Sequence, residues 1–285
     1  MNYKEVNLIL SKLNLRPKKH LGQNFLIDDN LLKKILFLSE VSKDDIVLEI
    51  GPGLGTLTEP LIKNAKKVYA IEINSILSAY LSEKFSVYNN CEVINSDILK
   101  IDIPPHNKVI SNIPLTITGP IFEKVFFKQD PPQGILVIEK SIANRIFLTG
   151  NYKMFSRITV GVNTFLTPIL KIDISKNSFY PSPKIDLNLI KLVPKENLNP
   201  FLLKKERASF FLKFISGIMP YKNKKLVNAL TMFFKANKNN NYNKERISSL
   251  LYEKNYGNDR IFTYSIEDLI NICILFYTGK IIKNR

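Results

Sequence analysis

Two cysteines and two histidines are the whole supply of thiolate or imidazole metal ligands in this sequence. Cys91 and Cys273 lie far apart and form no C-x-x-C pair, which excludes a disulfide framework and a thiolate metal cluster. Both read as small buried hydrophobes. His20 and His106 have no neighbouring carboxylate motif, which argues against a zinc site and a histidine-based triad. Metal-independent chemistry is expected. No apolar run reaches the roughly 18 residues that cross a bilayer. The opening segment scatters charges through its length and shows no signal-peptide cleavage pattern. The expectation is a soluble, cytoplasmic chain with no membrane partner, working as a monomer.

Acid is also scarce relative to base. Against 41 Lys and Arg stand 25 Asp and Glu, a formal charge of +16, and a surface this basic attracts polyanions and releases counterions on meeting phosphate. A compositional drift toward lysine, asparagine and isoleucine replaces Arg by Lys without changing charge, so drift alone does not create the excess. The excess is uneven: residues 191–285 hold 18 basic and 7 acidic side chains, residues 1–190 hold 23 and 18. Lys204 to Arg246 carries 11 bases and 2 acids, interleaved with Phe210, Phe211, Phe214, Tyr221, Phe233 and Phe234. Nucleic-acid binding is favoured there over a merely solvated basic face, although some of these aromatics belong to a core in either case.

With 285 residues and 45% hydrophobic content, the chain can bury one large domain with a small appendage. From about residue 28 to 192, short apolar runs alternate with stretches of helical period. The runs DIVLEI, KKVYAIEI, CEVIN, KVISNI, GILVIE and DLNLIKLV read as strands. Strand–helix–strand repetition implies an α/β fold with a parallel sheet covered on both faces. The first four strands end near Gly51, Glu72, Asp97 and Asn112, so all four positions are expected on the rim where such a sheet places its ligand crevice. Ser178–Asp186 reads as a rigid extended entry to the last strand. Val193–Pro200 reads as a linker, which gives domains at residues 1–193 and 194–285. Beyond it, RASFFLKFISGIM, KKLVNALTMFFKAN and SIEDLINICILFY carry helix-period apolar residues.

The segment Ile46–Thr58 sets a strand directly before Gly51, Gly53 and Gly55, with a helical pattern after them. Glycine permits positive φ and lets backbone approach a ligand closely. The dinucleotide fingerprint G-x-G-x-x-G fails, because Thr56 stands where its third glycine belongs. A nicotinamide cofactor is thereby disfavoured. Glu49, two residues before the first glycine, suits a cofactor with a cationic amino group. Glu72, about 20 residues on, suits a ribose diol, and Asp97 is placed to accept from the amine of an adenine. Singly, each acid is most simply a solvated strand-end carboxylate; together, behind a glycine loop, they point to an adenosine-bearing ligand.

After the fourth strand comes Asn112-Ile113-Pro114. An adenine N6 amine is a poor nucleophile because its lone pair is delocalised into the ring. Were the Asn112 oxygen and a main-chain carbonyl of Ile113 or Pro114 to accept its two N–H bonds, the lone pair would localise toward a sulfonium methyl, and no general base would be needed. Alone, the tripeptide could be an ordinary proline-punctuated loop.

Together these residues resemble a known family, the ribosomal RNA adenine N6-dimethyltransferases, which methylate two adjacent adenines near the 3′ end of small-subunit ribosomal RNA. The resemblance is carried by Lys18–Leu26 (KKHLGQNFL), Leu48–Thr58 (LEIGPGLGTLT), Ile71–Asn74 (IEIN), Ser96–Leu99 (SDIL), Asn112–Pro114 (NIP) and Phe179–Asp186 (FYPSPKID). Weaker matches are Lys224–Leu230 and the R-x-x-x-x-S-x-E-D of Arg260–Asp268. It implies a Rossmann-like class I methyltransferase sheet with a small all-helical C-terminal domain, S-adenosylmethionine as cofactor, and small-subunit ribosomal RNA in a pre-ribosomal particle as partner. It also implies that Asn24, Leu26, Gly51, Glu72, Asp97 and Asn112 line the cofactor pocket, while Asn112, Pro114, Leu115 and Phe179 serve the target base.

Two positions depart from the family. Leu115 stands where an aromatic usually stacks on the extruded adenine, a contact worth on the order of 1–3 kcal/mol, and Phe179 matches the second stacking aromatic. Leu187 stands where serine is common. Large-subunit adenine methyltransferases of the macrolide-resistance type resemble the same motifs but typically have a shorter helical tail. A non-catalytic ribosome-assembly factor is the rival from another class, motivated by Leu115 and the basic tail; intact Glu72, Asp97 and Asn112 argue against it.

Overall fold

In the computed structural model, residues 1–17, 23–147, 155–238 and 241–277 are described; His20 and most of the Lys18–Leu26 motif lie outside them. The chain opens with a helix unforeseen in the sequence pattern, α1 (Tyr3–Lys12). Asn2 accepts the Glu5 amide at 3.1 Å while the Glu5 carboxylate accepts the Asn2 amide at 2.8 Å, a reciprocal cap that satisfies two orphan donors. Val6 and Leu10 form the buried face of α1, packing with Phe25, Leu54 and Leu77.

Then follow β1 (Phe25–Leu26), α2 (Asp29–Ser39), β2 (Ile46–Ile50), α3 (Thr58–Asn64), β3 (Lys67–Glu72), α4 (Ser75–Lys84), β4 (Cys91–Asn95), β5 (Lys108–Asn112), α5 (Thr118–Ile121), β6 (Gln133–Glu139) and α6 (Lys140–Ile146). After α7 (Arg157–Phe165) come β7 (Leu166–Ile174), β8 (Phe179–Tyr180) and β9 (Leu187–Pro194). Seven strands form one sheet in the order β4-β3-β2-β5-β6-β9-β7. Val47, Leu48, Val109 and Ile110 are all fully buried, and consecutive buried residues arise in a strand only when both faces are covered. Chain order reverses between β2 and β5, so a crevice opens at their carboxyl ends.

The expectation of a parallel sheet holds for β4, β3, β2, β5 and β6. It fails beyond β6: β9 runs antiparallel to both β6 and β7. Strand β7 went unread because Pro168 interrupts its apolar pattern. Proline is tolerated at a sheet edge or bulge, and β7 is the edge strand, with a register shift between Pro168 and Leu170. Strands β1 and β8 form a separate antiparallel pair that sets Phe25 against Tyr180 and Leu26 against Phe179.

By contact density the chain divides into residues 1–147 with 166–194, and residues 148–165 with 195–285. A single cut at 193/194 thus leaves out one segment: the helix α7 falls with the second unit, where Val160 joins the helical core. That unit also holds α8 (Lys205–Ile218), α9 (Leu226–Ala236), α10 (Lys244–Tyr252) and α11 (Ile266–Phe276). Its aromatics turn inward. Phe210, Phe211, Phe214, Phe233 and Phe234 are buried, so they are core and not stacking platforms for bases, while Lys204, Lys205, Lys213, Lys224, Lys225, Lys235, Lys238 and Arg246 are exposed.

Candidate cofactor and substrate site

At the carboxyl end of β2 the chain turns on Gly51 and Gly53, with φ of 70° and 60°, values at which a side chain is strained. Space matters as much. A Cβ on Gly51 would lie 3.2 Å from Pro114 Cγ, and one on Gly53 would lie 3.1 Å from the Phe25 ring. The Gly51 amide donates to the Ile71 carbonyl at 2.9 Å, carrying the β2–β3 ladder one residue past the strand. The Gly53 amide donates to Glu72 Oε2 at 3.2 Å, and the Asn74 amide donates to Oε1 at 2.9 Å. Glu72 is buried, which pushes its carboxyl above the usual range, against the opposing pull of these amides and that of Ile73.

Asp97 follows β4, its Oδ1 accepting the Leu99 amide at 3.0 Å. Across the crevice, Ser111 Oγ donates to the Ile50 carbonyl at 2.6 Å and clasps the last residues of β2 and β5. The Asn112 Nδ2 donates to the main-chain carbonyl of Asn24 at 3.0 Å. A carbonyl can only accept, so this bond fixes which end of the amide is nitrogen and leaves Asn112 Oδ1 as an acceptor.

A cleft of about 190 Å³ results, lined among others by Asn24, Gly51, Glu72, Asp97, Asn112 and Pro114. An inner cavity of about 40 Å³ shares the walls Asn24, Phe25, Gly51, Gly53 and Asn112 and is closed by Leu26, Glu49, Thr56 and Phe179. Eight of the nine anticipated site residues therefore border one or the other. Leu115 does not: it begins a tight turn to Ile117 and packs half-buried beside the sheet core. Phe179 borders the inner cavity, yet it is only 2% exposed and belongs to that core.

Sequence reasoning missed Phe25, Ile73, Ile98 and Thr116, which also line the cleft. A signal for two of them was present: Ile73 follows Glu72 and Ile98 follows Asp97, so each acid that can meet a polar edge precedes an aliphatic side chain that can cover a flat ring.

Glu49 is the residue that best tests what the cleft can hold. Its side chain is 2% exposed, and Oε2 is buried without a hydrogen-bond partner, as is Thr58 Oγ1 nearby. Burial pushes the carboxyl up to about 8, the nearby Thr58 hydroxyl offsetting part of the shift and the Glu72 carboxylate adding to it. A buried acceptor left without a donor beside a glycine loop fits a ligand that brings a cationic amine. With the carboxylates of Glu72 and Asp97 on the same rim, this set of acceptors fits S-adenosylmethionine. Among the described residues no group of three or more His, Cys, Asp and Glu could hold a metal ion, and no helix is long and apolar enough to cross a membrane.

Fold and cleft together define a methyltransferase that uses S-adenosylmethionine. The family model for ribosomal RNA adenine dimethylase matches residues 8–265, and the chain belongs to that family, acting on ribosomal RNA. It is 33% identical over 270 residues to a probable ribosomal RNA small subunit methyltransferase A of Thermococcus sibiricus, covering 95% of this chain and 96% of that one. With the ribosomal RNA small subunit methyltransferase A of Thermotoga maritima it shares 39% identity over 228 residues, 79% of this chain and 78% of the relative. Among solved structures, a dimethyladenosine transferase from Plasmodium falciparum superposes with a TM-score of 0.74 at 26% identity, covering 88% of this chain and 97% of that one. The 23S rRNA methyltransferase ErmE gives 0.62 at 25% identity, with 88% and 99% covered.

Proposed function

We propose that this chain transfers methyl groups from S-adenosylmethionine to the N6 amines of two adjacent adenines near the 3′ end of small-subunit ribosomal RNA. It does so in the cytoplasm, on a pre-ribosomal particle, as a step of small-subunit biogenesis. The observation that carries this reading is the Asn112 amide, whose bond to Asn24 leaves its oxygen an acceptor at the rim. Asn112 Oδ1 takes one adenine N–H. The Ile113 carbonyl suits the other, because the Pro114 carbonyl already accepts the Ile117 amide at 3.2 Å.

The cofactor supplies an electrophilic methyl on its sulfonium sulfur. Glu72 accepts from the ribose hydroxyls, Asp97 accepts from the purine amine, and Ile73 and Ile98 cover the purine faces. Asn24, Leu26, Gly51 and Glu49 bound the methionyl end. The chain's task is position and electrostatics; once the amine nitrogen carries a new methyl, its proton leaves to water without a general base. A target adenine must leave its stack to reach Asn112, which costs least in a loop or single strand. Exposed cations of the helical unit supply attraction to the phosphates, in keeping with a catalytic unit of residues 1–147 with 166–194 and an RNA-binding unit of residues 148–165 with 195–285. Phe179, on the wall of the inner cavity shared with Asn112, is the ring assigned to the target base in this reading.

Leu115 favours one rival, a non-catalytic assembly factor, since no aromatic stands beside Asn112 in the loop. Transfer of labelled methyl from S-adenosylmethionine to small subunits lacking adenine methylation separates the two. Dimethyladenosine in the small-subunit RNA is expected; tight subunit binding with no transfer would establish the rival, and label in large-subunit RNA alone would redirect the substrate. The relatives from Thermococcus sibiricus and Thermotoga maritima, both named small subunit methyltransferase A, support the small-subunit reading.

A further inference from the structure

Glu49 forms part of the wall of the inner cavity, on β2 and opposite Ala70 of β3. Every group facing it from the packed elements is neutral or acidic. The walls contributed by β1, α2, the glycine loop, β5, β6 and β8 are Leu26, Ile35, Thr56, Leu57, Asn112, Val137 and Phe179, none of which bears charge. Glu72, at the end of β3, is the carboxylate that bears on it. Cys91, at the start of β4, is pushed up to about 11 by burial and by Glu49 itself, so its thiol stays neutral. Lys67, at the start of β3, is spent on Glu92 at 3.1 Å. A carboxylate in this place would have no cation, an Oε2 without a partner and only the nearby Thr58 hydroxyl to set against burial, which is the situation in which a buried acid keeps its proton.

We propose that Glu49 is a neutral carboxylic acid in the cofactor-free enzyme and ionises when the cationic amine of the cofactor's methionyl end seats against it, so that cofactor binding expels one proton. The exchange balances: the Glu49 O–H bond breaks, the proton goes to solvent, and the carboxylate pairs with the ammonium, which keeps its own three protons. This rests on the assignment of the inner cavity to the methionyl end. The elevated value of about 8 for the carboxyl agrees with it.

Calorimetry with S-adenosylhomocysteine, which carries the same amine and no transferable methyl, tests the exchange. At pH 6.5 a free α-amine is cationic. The binding heat should differ between phosphate and Tris buffers by an amount that corresponds to about one proton released. In the wild type, affinity should rise by up to about tenfold per pH unit from pH 6 to 7.5. Glu49→Gln should bind with no buffer dependence and a flat profile over that range. Equal heats in the two buffers would overturn the coupling while leaving the cofactor assignment standing, and release that persists in Glu49→Gln would move the proton to Glu72 and overturn it too. Affinity unchanged by both Glu72→Gln and Asp97→Ala would sink the cleft assignment itself.

Discussion

The two ends of the central strands treat buried polar groups in opposite ways. At the amino ends of β2 and β5, Lys108 donates to the Ser39 and Glu40 carbonyls at 2.9 and 2.8 Å and pairs with Asp45 at 3.0 Å. Asp45 also accepts from the Ser42 amide and from Asn107, both at 2.7 Å. Burial would raise the Asp45 carboxyl, but these partners together hold it below the usual range. At the carboxyl ends, a few residues along the same strands, Glu49 keeps a bare oxygen and Asn112 keeps a spare acceptor. The Lys108–Asp45 cluster is complete without a ligand and aligns the strands; Glu49 and Asn112 are completed only by one. In these two clusters the satisfied groups serve the fold, and the unsatisfied acceptors belong to the site.

That contrast can be broken at either end. The largest effect is expected at the ligand end: Asn112→Ala should cut methyl transfer by on the order of a hundredfold or more, by analogy with removal of one preorganised polar contact, and leave RNA affinity nearly intact. Single-turnover methylation with parallel filter binding measures both, and equal losses would show that Asn112 holds the fold instead of the base. At the closed end, Lys108→Ala should cost roughly 3–5 kcal/mol of stability, because it strands Asp45 without its cation. A urea titration reads this directly, and a cost below about 1 kcal/mol would mean that water replaces the ammonium.

The two carboxyls also answer pH with opposite sign. Glu49 holds in the folded, cofactor-free state a proton that the unfolded chain has already lost above its ordinary 4.5, so its contribution weakens folding as pH rises from about 5 to about 8. The loss is at most a few kcal/mol. Asp45, lowered in the folded state from 3.8, contributes stability that is present above that value and lost in acid. Denaturation midpoints across pH 3–8 for wild type, Glu49→Gln and Asp45→Asn should separate the two; a Glu49→Gln profile that still falls toward pH 8 would acquit Glu49. Smallest is Asp97→Ala, which should weaken cofactor binding about tenfold, the scale of one charge-assisted hydrogen bond, while the melting temperature changes little.

The site was legible to an unequal degree. Gly51, Glu72, Asp97 and Asn112 could be placed on one rim from the chain alone, because a strand end, a glycine turn and an acid one residue later are local patterns, and parallel strands carry all their ends to the same side. Phe25 and Thr116 were not singled out, although Asn24, Leu26 and Pro114 near them were, because which side chain of a short strand or loop faces the cleft is decided by the fold. Phe179 could be singled out by its motif, but its burial against Leu26 depends on β1 pairing with β8. In the helical unit, the mixture of lysine and phenylalanine suggested a surface that uses both. Helical periodicity separates them, and the phenylalanines went to the core.

What this sequence determined by itself is the alternation of strands and helices, the turn geometry that only glycine allows, the acids at successive strand ends, and the positive charge. Each follows from side-chain chemistry or backbone sterics over a few residues. Only the tertiary structure decided that β9 would run antiparallel, that α7 would join the helical unit, that Asn24 would orient the amide of Asn112 from 88 positions away, and that Glu49 would be sealed in with one oxygen unpartnered. Those depend on which distant segments meet, and a local pattern records that a face is buried without recording what buries it.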